Sequence, residues 1–480
     1  MKKALLIFVA QSSLIMEVAA ASVSSASIRQ DWPWSTNTEI TYTLEDVTDP
    51  VDIAVVFRSG GVVVPSSALG LSGDVYGVKT SGSHVIKVDP VKTFGTVGAI
   101  GRLTAEVTCI PQSELNGQAL YKVVDLVSGE VTDITRGDIL NGDYGSYEVD
   151  YGKIGPGFNT SLDDVLIWTG ITNNLAKYAG THMVFRRIPA GSFNYCVNPS
   201  KTNIVTISKD YYIGVFKLTY AQLVKFGFTP GSNNWETEWY NYWGGDDAAG
   251  RAECYKAANG MTAKVFNSTT GKTMGTNNLE IAYGTASDET SLLRKLMYRI
   301  KTGPSALLIP LNAPSQAKWH RAMRAGTDTY YYDGLPTPSD TDCNEQFNRL
   351  GLCKYNGGVT FNSDGTTTEN GPCEVGRFCP NAFGLYDMLG NLWEAAQDYD
   401  NSASLSGQDP HGKFYDSNYP YTAVLGVSYK HGGSIRPQPI SANQQVHNHS
   451  GEHDRWGVRL CFIADEVMPV SDYEARLNGN

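Results

Sequence analysis

Short apolar runs separated by turn-forming residues fill the first quarter of the chain. Glu39-Ile40-Thr41-Tyr42-Thr43-Leu44 and Leu103-Thr104-Ala105-Glu106-Val107-Thr108 alternate apolar with polar positions, the period of a strand with one buried face. Val51–Phe57 and His84–Val88 add two further strand-like runs, and Asp49-Pro50, Ser59-Gly60-Gly61 and Ser81-Gly82-Ser83 punctuate the series. Many short strands with no helical period predict a β-sandwich over residues 22–112. Tyr121–Leu126 reads as a strand leading out of it. Residues 113–180 then read as a connecting extension that lies along a second domain, because Tyr147, Tyr151, Phe158 and Trp168 need burial.

Helical spacing appears only later. Thr219 and Gln222 form a capping box for a short helix. Leu292, Leu293, Leu296, Met297 and Ile300 recur at helical period between about Ser287 and Lys301, and Gly303-Pro304 stops that run. Ser315 caps a third helix, in which Trp319, Ala322 and Met323 share a face and Gly326 marks the end. His320 on this helix reads as a surface or partly packed histidine. The stretch from Pro380 to Glu394 has neither period. It crowds large apolar side chains with Gly384 and Gly390, so it predicts a tightly folded, buried loop. Asp387 and Glu394 bracket a Gly-Asn turn there, which suits a hard cation or, more plainly, two surface carboxylates.

The stretch Gly384-Leu385-Tyr386-Asp387-Met388-Leu389-Gly390-Asn391-Leu392-Trp393-Glu394 resembles the GLYDMxGNxWEW motif of the formylglycine-generating enzyme, or sulfatase-modifying factor, family. Supporting motifs follow in the family's order. Phe185–Phe193 resembles the opening strand, Tyr211–Thr219 the FxIGxxxVT segment, and Pro314–Trp319 stands in place of PTEAEW. Gly432-Gly433-Ser434 matches RGGS, and Trp456-Gly457-Val458-Arg459 matches GFR. The resemblance covers residues 183–464 and implies a loop-rich α+β domain, related to C-type lectins, over residues 181–465, with a tail at 466–480. It also implies a structural calcium held by the side chains of Asp387 and Glu394 and the carbonyls of Gly390 and Leu392, with a second site near Asp364.

Composition narrows the function. A net charge of −11, with no cluster of Lys and Arg, argues against a nucleic-acid partner. Lys2-Lys3, an apolar run and Ala19-Ala20-Ala21 read as a secretory leader over residues 1–21, so the expected location is periplasmic or secreted from a bacterium, with no membrane anchor. Of eight cysteines, Cys343, Cys353, Cys373 and Cys379 lie close together, and one or two disulfides stapling that loop are expected over a zinc site.

The family's enzymes oxidise a cysteine to formylglycine with O2 and a copper ion held by two cysteines that follow the GGS motif. Here Pro437 and Ala442 stand at or beside those positions, and neither carries a ligand for copper. The WEW and EAEW motifs are altered too, to Trp393-Glu394-Ala395 and Gln316-Ala317-Lys318-Trp319. His447, His449 and His453 lie within one short loop and offer a possible metal site, against the plainer reading of an exposed polar loop. The expectation is a calcium-stabilised scaffold that binds a protein, peptide or glycan through aromatic loops. The alternative is a metal-dependent oxidase using copper or iron.

Overall fold

The structure is a computed structural model, and it describes residues 20–30, 37–63, 70–90, 93, 101–149, 166–195, 203–226, 256, 292–327, 331–332, 345–364, 366–399, 405–411, 421–430, 447–448 and 456–477. Residues 1–19 of the expected leader lie outside that set. Among the described residues no helix is long and apolar enough to cross a membrane.

Seven strands form two antiparallel sheets at the start of the chain. Ser22–Gln30, Thr38–Glu45, Gly82–Asp89 and Gly70–Gly73 neighbour one another in that order, and Val62–Val63, Val51–Ser59 and Leu103–Pro111 make the second sheet. Thr38–Glu45 buries every other residue, as its alternation requires. Ile40, Tyr42, Leu44 and Ile86 of the first sheet meet Ile53, Val55, Phe57 and Val107 of the second in a single apolar cluster.

The main sheet has five antiparallel strands in the order Cys461–Ile463, Tyr211–Gly214, His182–Ile188, Ala119–Asp125 and Val131–Thr135. Residues 119–135 therefore belong to this sheet, where the sequence suggested part of a connecting extension. The reason lies in their burial: Ala119–Asp125 carries apolar residues on both faces, and its five central residues are buried. Tyr121 and Val123 face one core with Val184, Ile188, Tyr211 and Ile213. Val124 faces the other with Met183, Phe185, Tyr212 and Phe462.

Helices cover both faces. Tyr220–Lys225, with Thr219 and Gln222 in a reciprocal capping box, and Leu292–Thr302 pack Leu223, Leu293, Leu296, Met297 and Ile300 on the second core. Gln316–Arg324 packs Trp319, Ala322 and Met323 on the first. Ser315 accepts the Lys318 amide at its N-terminus, and Ala325 (φ 43°) followed by Gly326 (φ 83°) ends it in left-handed backbone. His320 corrects the sequence reading. It is 3% exposed, packed edge-on to Tyr195 and Trp319, and burial together with Arg324 holds its pKa well below the usual histidine range.

Residues 466–477 of the expected tail are structured: Met468–Pro469 pairs with Leu307–Leu308, and Val470–Leu477 is helical. Buried Asp52, in the N-terminal sheets, pairs with buried Arg136 at the start of the Arg136–Leu140 helix (2.9 Å), tying the two parts of the chain together. Of the four cysteines expected to form one or two disulfides, Cys353 is disulfide-bonded and Cys373 and Cys379 are free thiols, while Cys343 lies outside the described residues.

Candidate functional site: a buried ion cluster at Glu394

Residues 381–396 are buried throughout, and 381–392 run without strand or helix. The turn is possible because four positions adopt left-handed backbone: Gly384 (φ 73°), Asp387 (φ 55°), Gly390 (φ 79°) and Asn391 (φ 63°). At Gly390 a Cβ would lie 2.6 Å from the Leu352 backbone nitrogen, so only glycine fits that approach. Asn391 closes the turn from both sides, its Oδ1 accepting the Cys373 amide (3.0 Å) and its Nδ2 donating to the Cys373 carbonyl (3.2 Å). Glu394 then enters the Trp393–Tyr399 strand, between Leu425 of one neighbour and Gly457 of the other.

The Glu394 carboxylate is fully buried and saturated. Lys217 Nζ donates to its Oε1 at 2.5 Å and Trp319 Nε1 to its Oε2 at 2.9 Å. Arg459 spans both oxygens, with Nε 3.1 Å from Oε2 and Nη2 3.2 Å from Oε1. Arg459 is itself anchored by the carbonyls of Gly214 (2.7 Å), Val215 (2.6 Å) and Tyr386 (2.7 Å). Burial alone would raise the Glu394 carboxyl, but Arg459 and Lys217 outweigh it and hold its pKa down at about 2. Burial pulls the Lys217 ammonium below its ordinary value, and Glu394 pushes back.

Asp387 lies beside this cluster, also fully buried. Its Oδ2 accepts the Gly376 amide (2.8 Å) and its carbonyl accepts Lys217 Nζ (2.7 Å), whereas Oδ1 has no hydrogen-bond partner. Burial raises its carboxyl pKa against the pull of Gly376, Lys217 and Arg459. The plain reading of Asp387 and Glu394 as surface carboxylates is therefore wrong.

The side chains of Asp387 and Glu394 are a poor fit to the calcium that the resemblance implies. Calcium takes six to eight oxygens. Both Glu394 oxygens and the Asp387 carbonyl already accept protein donors, which leaves Asp387 Oδ1 as the one open side-chain oxygen of the pair. Asp364 is exposed and folds back on its own turn, accepting the Thr366 amide (2.9 Å) and hydroxyl (2.6 Å). Among the described residues no group of three or more His, Cys, Asp or Glu is placed to hold a metal.

His447 lies on a two-residue strand paired with Thr422, while His449 and His453 lie outside the described residues, as do Pro437 and Ala442. The sequence itself carries no cysteine between Cys379 and Cys461. Cys461 is buried, and burial pushes its thiol up to about 11, so it is not a ready thiolate at neutral pH. A half-open cleft of about 350 Å³ lies elsewhere, lined in part by Lys209, Lys318, Gln397, His411 and Glu466.

Sequence reasoning missed Lys217 and the partners of Glu394. The available signal was a single lysine between Phe216 and Leu218 in an otherwise apolar run. A charge at such a position has to find an opposite charge inside the protein.

Comparison with known proteins agrees with the motifs. The chain matches the formylglycine-generating enzyme of Mycobacterium tuberculosis at 36% identity over 81 residues, 17% of this chain and a quarter (25%) of that protein's length. Among solved structures, Treponema denticola variable protein 1 aligns at 16% identity over 59% of this chain and 95% of its own, with a TM-score of 0.38. PvdO from Pseudomonas aeruginosa aligns at 19% identity over 58% and 94%, with a TM-score of 0.33. The model of the sulfatase-modifying factor enzyme 1-like domain matches residues 173–462, well over half of the chain, and the chain belongs to that family.

Proposed function

We propose that this chain is an exported binding protein, in which a sulfatase-modifying-factor-type domain serves as a scaffold for protein, peptide or glycan recognition. The observation that carries the reading is an exposed aromatic face. Tyr355 (48% exposed) and Phe361 (57% exposed) stack with planes 8° apart and centroids 6.1 Å apart, and Lys354 Nζ lies 5.5 Å from the Phe361 centroid. Flat aromatic rings left open to solvent on a structured turn and hairpin suit an amphipathic partner. Thr360, Asn362 and Asn370 hydrogen-bond within the same hairpin and its flanking turn, which gives the aromatic pair a fixed base.

The copper form of the oxidase alternative lacks its ligands, since no cysteine pair follows the Gly432-Gly433-Ser434 motif and the polar cluster around Glu394 is buried; of the histidines that would hold iron in the other form, His449 and His453 lie outside the described residues. In this reading the two N-terminal sheets form a β-sandwich module that presents the scaffold or adds a second contact. Export rests on the leader-like pattern ending at Ala19-Ala20-Ala21.

Screening the purified chain against glycan and peptide arrays tests the proposal. Tyr355→Ala and Phe361→Ala are expected to weaken a captured ligand by at least about tenfold, the scale of one to two kcal/mol per lost aromatic contact. A ligand held equally well by both variants would refute this surface as the site.

A further inference from the structure

We infer that the ammonium of Lys217 stands in this chain where the family resemblance implies calcium, so that the fold carries its own cation and is stable without the metal. The inference does not depend on what the scaffold binds. Lys217 Nζ lies 2.7 Å from the Asp387 carbonyl oxygen and 2.5 Å from Glu394 Oε1, bridging the two residues at the ends of the implied ligand set. It has no exposure to solvent, and neither do Asp387 and Glu394.

Charge makes the replacement exclusive. Lys217 and Arg459 are two cations set against the two carboxyl groups of Glu394 and Asp387, all fully buried. A calcium ion added to that set would leave two uncompensated positive charges away from water, which is strongly unfavourable. It would also have to take oxygens that Lys217, Arg459 and Trp319 already occupy. The lysine is held by the fold and not by the ion. The Tyr211–Gly214 strand ends three residues before it, the Val215 amide donates to the Val184 carbonyl, and the Leu218 amide donates to the Val458 carbonyl, so the chain on either side is fixed.

The test uses the full chain and calcium alone as the probe. Wild-type protein is dialysed to equilibrium against calcium, assayed for bound metal, and melted in calcium and in a chelator. The expected result is no stoichiometric calcium and one melting temperature in both buffers. Lys217→Met, which keeps most of the side-chain volume but removes the charge, is expected to melt roughly 10 °C lower in the chelator, the scale for one lost partner of a buried pair in a domain of this size. Tightly bound calcium in the wild type, with a melting temperature that falls on chelation, would overturn the inference. So would a Lys217→Met variant that folds and melts like the wild type.

Discussion

At the scale of single residues, Glu394 organises the centre of the second domain. Its carboxylate receives hydrogen bonds from three side chains that are far apart in sequence: Lys217, Trp319 and Arg459. Breaking a buried pair on one side leaves unpaired charges behind, so Glu394→Gln is expected to lose about 3–5 kcal/mol in a denaturant titration. The pH dependence has a definite sign. Glu394 has a folded pKa of about 2, below its ordinary 4.5, so its contribution is fully present above about pH 4.5 and is lost as pH falls toward 2. Asp387, whose carboxyl is raised by burial, acts oppositely: its contribution is present below 3.8 and fades as pH rises through its folded pKa. Stability measured against pH should therefore show an acid limb that Glu394→Gln flattens. An unchanged limb would show that another group governs acid unfolding.

At the scale of elements, local signals were legible wherever a period or a cap fixed them. The strands at Thr38–Glu45, Val51–Ser59, Gly82–Asp89 and Leu103–Pro111, the Thr219 capping box and the Ser315 cap all follow from short-range pattern. The loop before Glu394 was legible as buried from its apolar content and glycines, and the structure adds that Asp387 and Asn391 also take left-handed backbone. Partnership was not legible. Ala119–Asp125 and Val131–Thr135 join a sheet whose other strands begin at residue 182, and nothing local announces that pairing. The partners of Glu394 were hidden for the same reason, since each arrives from a different motif. Two substitutions weigh these elements. Ser315→Ala, removing the acceptor for the Lys318 amide, should cost about 1 kcal/mol. Gly390→Ala should cost more than that, because it adds left-handed strain and a backbone clash with Leu352. Equal denaturation midpoints for these two variants would mean that the loop relaxes around the added methyl group.

At the scale of the whole molecule, two separately cored parts meet at a buried ion pair. Arg136 donates to Asp52 (2.9 Å) and Asn116 (2.7 Å), and its guanidinium lies 5.4 Å from the Tyr76 ring centroid. Arg136→Ala strands the Asp52 carboxylate in the interior. Calorimetry should then show a lower transition for the N-terminal sheets while the transition of the second domain stays in place. Both transitions moving together would mean that the parts fold as one.

The family's motifs that lie within the described residues converge, from the Lys217 segment to the Arg459 segment, on a buried interior that holds the fold together. The cysteine pair that would make such a domain an oxidase is missing from the sequence after Gly432-Gly433-Ser434. Mass spectrometry of a cysteine-bearing sulfatase peptide, incubated with the full chain, copper and O2, tests this most directly. The account predicts that the cysteine is recovered with no aldehyde formed, and catalytic conversion to formylglycine would contradict it.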